Sequence, residues 1–171
     1  MLTKTIISLD KLKEQGELKI KENLKFRTFL KNRRDLEKLD REFKELHKKL
    51  FENYDCSLCL NCCKEYHGVI PVEDLEKDAK YLKMTKREFI RKYLVKRNGG
   101  YESKNKPCDL FCNNKCSLNE NKPQDCKDYP YTNQKDRFFS LFSIIESSKI
   151  CPIVYEILEE LKERYDFKSK D

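Results

Sequence analysis

Cys56-Ser57-Leu58-Cys59-Leu60-Asn61-Cys62-Cys63 is the stretch on which the reading of this chain turns. Two residues between cysteines let one turn of backbone aim both sulfurs at one metal, with nearby amides left to hydrogen-bond them. Repeating the spacing supplies a third ligand. Cys63 follows Cys62 directly, and neighbouring side chains diverge, so Cys63 is expected to point elsewhere. Five more cysteines lie downstream: Cys108, Cys112, Cys116, Cys126 and the remote Cys151. The total of nine is odd, and the opening MLTKTIISLDK has too short an apolar stretch for a secretory signal. A disulfide scaffold is therefore the weaker reading, and metal binding in a reducing cytoplasm the stronger.

Soft thiolates select zinc or iron–sulfur clusters over magnesium or calcium. Structural zinc takes four sulfurs, or sulfur with His, in a tetrahedron. A [4Fe–4S] cluster takes four cysteines, often three local and one beside a proline. Cys56, Cys59 and Cys62 with the remote Cys151-Pro152 meet that description in outline. Cys108-x3-Cys112-x3-Cys116 does not match the CxxxCxxC spacing of radical S-adenosylmethionine enzymes.

The rest of the composition bounds the fold. At 171 residues the chain can build one real core. Leu, Ile, Val and Phe number 44, above the level at which disorder is the better reading. No run approaches a membrane span. None of the four glycines stands in a phosphate-cradling loop. Of the formal charge of +7, residues 1–50 carry +6, which reads as the wet surface of helices.

Upstream of the cysteines, residues 9–31 read as a helix that Asp10 can cap and Gly16 weakens. Leu36, Leu39, Phe43, Leu46 and Leu50 then repeat at 3, 4, 3, 4, one seam of a second helix. Glu37–Arg41, Asp40–Lys44 and Glu45–Lys49 are acid-first pairs on its wet side. The short connector at Asn32-Arg33 makes an antiparallel hairpin, with a single long helix as the alternative. Downstream, Pro71 can start a helix. Thr85 and Glu88 form a capping box with Met84 and Phe89 at the staple positions, and that helix is expected to end at Asn98-Gly99-Gly100. Residues 101–132 are polar and irregular and need a cross-link to be ordered. Residues 136–147 are read as helix, with Phe138, Leu141, Phe142 and Ile145 on one face. A last helix starts at Pro152. The expected architecture is a mainly α, small, cysteine-rich, metal-organised single domain with an N-terminal helical hairpin. Its parts are a basic hairpin at 1–53, packed on the core, and a cysteine-cluster region at 54–171.

The run Cys56 to Cys63 resembles the signature of the YkgJ-type cysteine-cluster proteins, the zinc- or iron-chelating CxxCxxCC domains. The likeness continues through Cys108, Cys116, Lys122-Pro123, Cys126, Tyr129-Pro130 and Cys151-Pro152. Lys122 stands where Arg is common, and Tyr129 where Phe is. Cys112 falls where the family has an apolar residue. The resemblance thus implies a ligand set of Cys56, Cys59, Cys62, Cys63, Cys108, Cys116, Cys126 and Cys151, enough for two four-thiolate sites or one cluster plus one zinc. It implies zinc or iron, including a [4Fe–4S] cluster, as cofactor. One branch of the family contains lysine methylases with additional sequence, and methylation is not carried over.

His67 could be a ligand, but is read as a solvent-facing loop histidine. His47 is read as exposed, and Cys112 as inert and partly buried. The helices around Met84-Thr85, with Lys86, Arg87 and Arg91 on the second, could form a helix-turn-helix. The reading is a cytoplasmic metal-binding protein. An iron–sulfur-dependent methyl or redox transferase is the alternative, and a nucleic-acid module ranks behind both. A protein partner for the N-terminal helices is expected ahead of nucleic acid, and no membrane.

Overall fold

The structure is a computed structural model that describes residues 6–33 and 35–169. Among them are nine α-helical segments and two short β-hairpins, so the mainly helical reading holds. No helix among the described residues is long and apolar enough to cross a membrane. The chain divides into two compact units. One joins the chain before Cys56 to the chain from Pro130 onward; the other is Cys56–Tyr129.

In the first unit, α1 (Leu9–Lys31) and α2 (Leu36–Phe51) form the expected hairpin, which excludes one long helix. Ser8, not Asp10, is the N-cap residue of α1. Asp10 lies in the first turn, where the Ser8 side chain and its own backbone N–H hold its carboxyl below the usual range. Gly16 is buried inside α1 because a β-carbon there would stand 2.9 Å from Lys149 Cα. Asp35 caps α2 by accepting the Lys38 N–H at 2.9 Å. The α2 seam buries Leu39, Phe43, Leu46 and Leu50 and leaves Leu36 exposed.

That seam packs on α9 (Pro152–Arg164), while α1 packs on both α8 (Leu141–Ser147) and α9. Proline fits the first turn of α9, where its missing N–H costs nothing. Ile153, Val154, Ile157, Leu158 and Leu161 are buried along α9. In α8 the buried face is Leu141, Ile144 and Ile145; Phe142 is 54% exposed, and the Arg27 guanidinium lies 3.9 Å from its ring centre.

Tertiary partners also replace two of the three expected helical ion pairs. Glu37–Arg41 forms at 3.9 Å. The Asp40 carboxylate instead accepts the N–H groups of Asp136 and Arg137 at 2.7 and 2.8 Å, and Glu45 pairs with Arg164 at 2.8 Å. His47 is half-buried, not exposed: Nδ1 lies 2.8 Å from Thr132 Oγ1, and the ring packs 4.5 Å from that of Phe51. Lys162 is buried, and its ammonium is matched by Glu22 and Glu159 at 2.5 Å each.

The second unit opens with two short helices, α3 (Cys56–Cys59) and α4 (Asn61–Glu65), joined at Leu60 in the left-handed region (φ 52°). After α5 (Leu75–Tyr81) the Thr85/Glu88 capping box starts α6 (Lys86–Tyr93), with Phe89 fully buried. The helix ends earlier than the sequence suggests. The chain leaves α6 directly into β1 (Leu94–Arg97), and Asn98-Gly99 turns it into the antiparallel β2 (Gly100–Ser103). Asn98-Gly99-Gly100 is thus a hairpin turn rather than a helix stop. The deciding partner is Ile70, whose N–H and C=O bond Tyr101 at 2.7 and 2.9 Å. A β-carbon on Gly100 would lie 2.4 Å from the Ile70 carbonyl oxygen.

A second hairpin, β3 (Phe111–Cys112) with β4 (Lys115–Cys116), turns through Asn113-Asn114, both with positive φ. Asn tolerates that conformation better than most residues. The short α7 (Gln124–Asp128) follows. A small core of Ile70, Leu75, Ala79, Phe89, Leu94, Leu110 and Leu118 holds these pieces, with Cys108 and Cys116 packed against it. Asp109 orders the polar loop beside it, accepting from Ser103 Oγ at 2.9 Å and from the Asn105 N–H at 3.0 Å.

Candidate metal centre

Cys62, Cys63, Cys108, Cys116 and Cys126 line one pocket of the second unit, together with Tyr66, His67, Gly68, Lys122 and Pro123 among others. They come from three segments. Cys62 and Cys63 sit on α4, whose last turn closes with the Tyr66 N–H on the Cys62 carbonyl at 2.8 Å. Both line the pocket, and their side chains share a hydrogen bond; Cys56 and Cys59 do not line it. The Cys108 N–H donates to the Cys63 carbonyl at 3.0 Å, tying the second segment to the first. Cys116 lies opposite Phe111 in the β3–β4 ladder, which places it next to Cys108.

Cys126 arrives on α7, and three features hold it. The Asp125 carboxylate accepts the Val69 N–H at 2.7 Å and the Tyr66 hydroxyl at 3.1 Å. Tyr66 stacks on Tyr129 with ring centres 4.2 Å apart. Gly68 crosses so close that a β-carbon there would stand 2.2 Å from Cys126 Sγ. A hydrogen bond from the Gly68 backbone to the sulfur favours the thiolate.

The electrostatics join these sulfurs. The neighbouring Cys62 thiol, then burial, push Cys63 far above the ordinary thiol range. Burial raises Cys116, and the charges of Cys108 and Cys63 add to it. Burial pushes Cys126 up to about 12, reinforced by Cys108 and Cys116. Lys122 pulls the other way on Cys63, Cys116 and Cys126. Buried thiols that raise one another are protonated at neutral pH, and a bound cation would reverse that.

His67 is a wall of the pocket, not a solvent-facing side chain. Its ring meets the Asn105 carbonyl, and Nε2 is buried with no hydrogen-bond partner. Five thiols and an orphaned imidazole nitrogen suit a thiophilic cation such as zinc or iron. Among the described residues, no three His, Cys, Asp or Glu side chains already stand at ligating separation.

Of the other sequence-derived candidates, Cys56 and Cys59 begin and end α3 and are not on this pocket's wall. Cys151 is the buried N-cap residue of α9, in the first unit. Cys112 is exposed beside the hairpin turn, rather than partly buried, and does not line the pocket. None of the nine cysteines is in a disulfide. Sequence reasoning missed Asp125 and Gly68, whose roles depend on contacts between segments more than 50 residues apart.

No curated protein and no solved structure matches the chain. Residues 55–152, which hold the pocket, match a domain family described as "Putative zinc- or iron-chelating domain", and the chain belongs to that CxxCxxCC family.

Proposed function

We propose that this chain is a cytoplasmic metal-binding protein in which Cys63, Cys108, Cys116 and Cys126 hold one zinc or iron ion and so staple the second unit. The observation that carries the reading is the convergence of thiols from α4, the β3–β4 hairpin and α7 on one pocket. Within that pocket Cys116 feels Cys108 and Cys63, Cys126 feels Cys108 and Cys116, and Cys63 feels Cys62, which the CxxCxxC spacing assigns to the neighbouring ligand run. The metal would supply a positive charge that keeps the four sulfurs ionised. Lys122 offsets part of the excess negative charge of four thiolates. His67 Nε2 is a further donor at the same wall.

Cys56, Cys59 and Cys62 keep the spacing of three ligands to a second metal of zinc or iron–sulfur type, and Cys151-Pro152 stays a ligand candidate on sequence alone. The family's zinc- or iron-chelating description supports the metal class. The test is metal content and visible absorbance of protein purified without oxygen. Bound zinc without colour supports thiolate zinc sites. A brown protein absorbing near about 400 nm supports a cluster, and with it the iron–sulfur enzyme reading. Protein with neither metal overturns the proposal.

A further inference from the structure

Residues 80–106 carry ten Lys and Arg against two Glu. Both carboxylates are engaged: Glu88 closes the capping box on Thr85, and Glu102 pairs with Arg97 at 3.4 Å. Lys80, Lys83, Arg87, Arg91, Lys92 and Lys96 are exposed and form no ion pair among the described residues. This charge is organised by shape. The aliphatic stems of Lys86, Arg87 and Arg91 with Ile90 line one mainly apolar surface hollow; Lys83, Met84, Glu88, Arg91 and Lys92 line another, more polar one. Arg91 belongs to both, so the hollows are contiguous along α6. The Lys104 ammonium bonds the Arg91 carbonyl and extends the cationic surface to the bend that follows β2.

We infer that the α6 face is a binding surface for the phosphodiester backbone of a nucleic acid. Arg87 and Arg91 stand one helical turn apart, about 5–6 Å between β-carbons, so two guanidinium forks can take neighbouring phosphates. Burial of Phe89 and the capping box fix the helix that presents them. An anionic membrane fits less well, because such surfaces insert large apolar side chains beside their cations. Among the described residues from 80 to 129, Tyr81 is the one large apolar side chain that is exposed, and its hydroxyl is held by Asn119 at 2.9 Å. From sequence, nucleic acid ranks last because basic helix surfaces are usually only solvated and short helical pairs are common. In the first unit, however, many cations face carboxylates, as in Lys19–Glu22 and Arg164–Glu45, both at 2.8 Å. On α6 only Arg91 feels a carboxylate, that of Glu88, and among the described residues it forms no ion pair with it.

The test is fluorescence anisotropy of labelled duplex DNA, duplex RNA and single strands with the full metal-loaded chain, from about 50 to about 200 mM salt. The triple variant Arg87→Gln, Arg91→Gln, Lys92→Gln is compared with Lys11→Gln, Lys13→Gln, Lys21→Gln, which removes equal charge from α1. Circular dichroism and metal content check that both variants are folded. The expected result is binding to at least one of the three nucleic acids. The α6 variant should weaken it about tenfold or more and flatten the salt slope by roughly 2–3, while the α1 variant stays within about twofold. Which arm binds best identifies the nucleic acid. No binding at the low-salt end overturns the inference. So does equal loss in both variants, or binding to phosphatidylserine vesicles or polyglutamate but to no nucleic acid.

Discussion

The two units order their chain by different means. In the first, long helices bury continuous apolar seams, and the deeply buried ammonium of Lys162 is met by two carboxylates. In the second, helices of four to eight residues surround a core of seven apolar side chains. Helices that short are unstable without tertiary support. What the second unit adds is a pocket of thiols from three segments. The lesson is that packing in the first unit is spread along helix faces, whereas the second has a smaller apolar core, which on our proposal a cation shared by its sulfurs would complete.

The largest expected effect lies at those sulfurs. A structural zinc site contributes on the order of 10 kcal/mol to folding. Cys126→Ser should therefore lose about one metal per chain by native mass spectrometry and loosen α7 and the β3–β4 hairpin. Cys112→Ser should keep both metal and order, because its side chain is exposed and off the pocket. Metal lost from Cys112→Ser but kept by Cys126→Ser would break the ligand assignment.

Core truncation sharpens the comparison. Phe43 and Phe89 are both fully buried, one in each unit. Either change to Ala should cost about 3–5 kcal/mol. Urea unfolding followed by segment-resolved hydrogen exchange should place the loss from Phe43→Ala in α2 and α9, and that from Phe89→Ala in α5 and α6.

A smaller effect belongs to the cap of α6. Thr85→Ala removes the side chain that accepts the Glu88 N–H and should cost about 1 kcal/mol, read as faster amide exchange in the first turn of α6. An unchanged rate would mean that Phe89 packing alone holds the helix start.

The smallest effect is electrostatic. Burial works against ionised Glu22, but Lys162 and Lys19 outweigh it and hold its carboxyl below the usual range. A depressed carboxylate stabilises the fold above its unfolded value, and that contribution is lost as pH falls through the folded one. The first unit should lose stability on acidification below about pH 4.3. In Glu22→Gln this part of the acid dependence should be absent, as measured by urea midpoints across pH.

Local signals were readable in advance. The α2 seam, the Thr85–Glu88 box and proline at the start of α9 all follow from neighbours within one or two helical turns. The Asn98-Gly99-Gly100 turn is not legible locally, because the choice between helix stop and hairpin rests with Ile70, some 30 residues away. Asp40 and Glu45 left their helical partners for groups about 100 residues distant, for the same reason. At the pocket, cysteine spacing pointed to metal chemistry. It could not show that Cys63 and Cys62 line one pocket with Cys126, that Gly68 must be glycine, or that His67 is walled in. Those depend on how three separate segments meet.

The central claim is that a cation at the thiol pocket orders the second unit, while the first stands on its own packing. Hydrogen exchange on the full chain, before and after chelation under reducing conditions, tests it most directly. The account predicts that residues 56–129 lose protection when metal is removed and regain it on zinc or iron addition, while α1, α2, α8 and α9 keep theirs. Unchanged protection across 56–129 in demonstrably metal-depleted protein would contradict it.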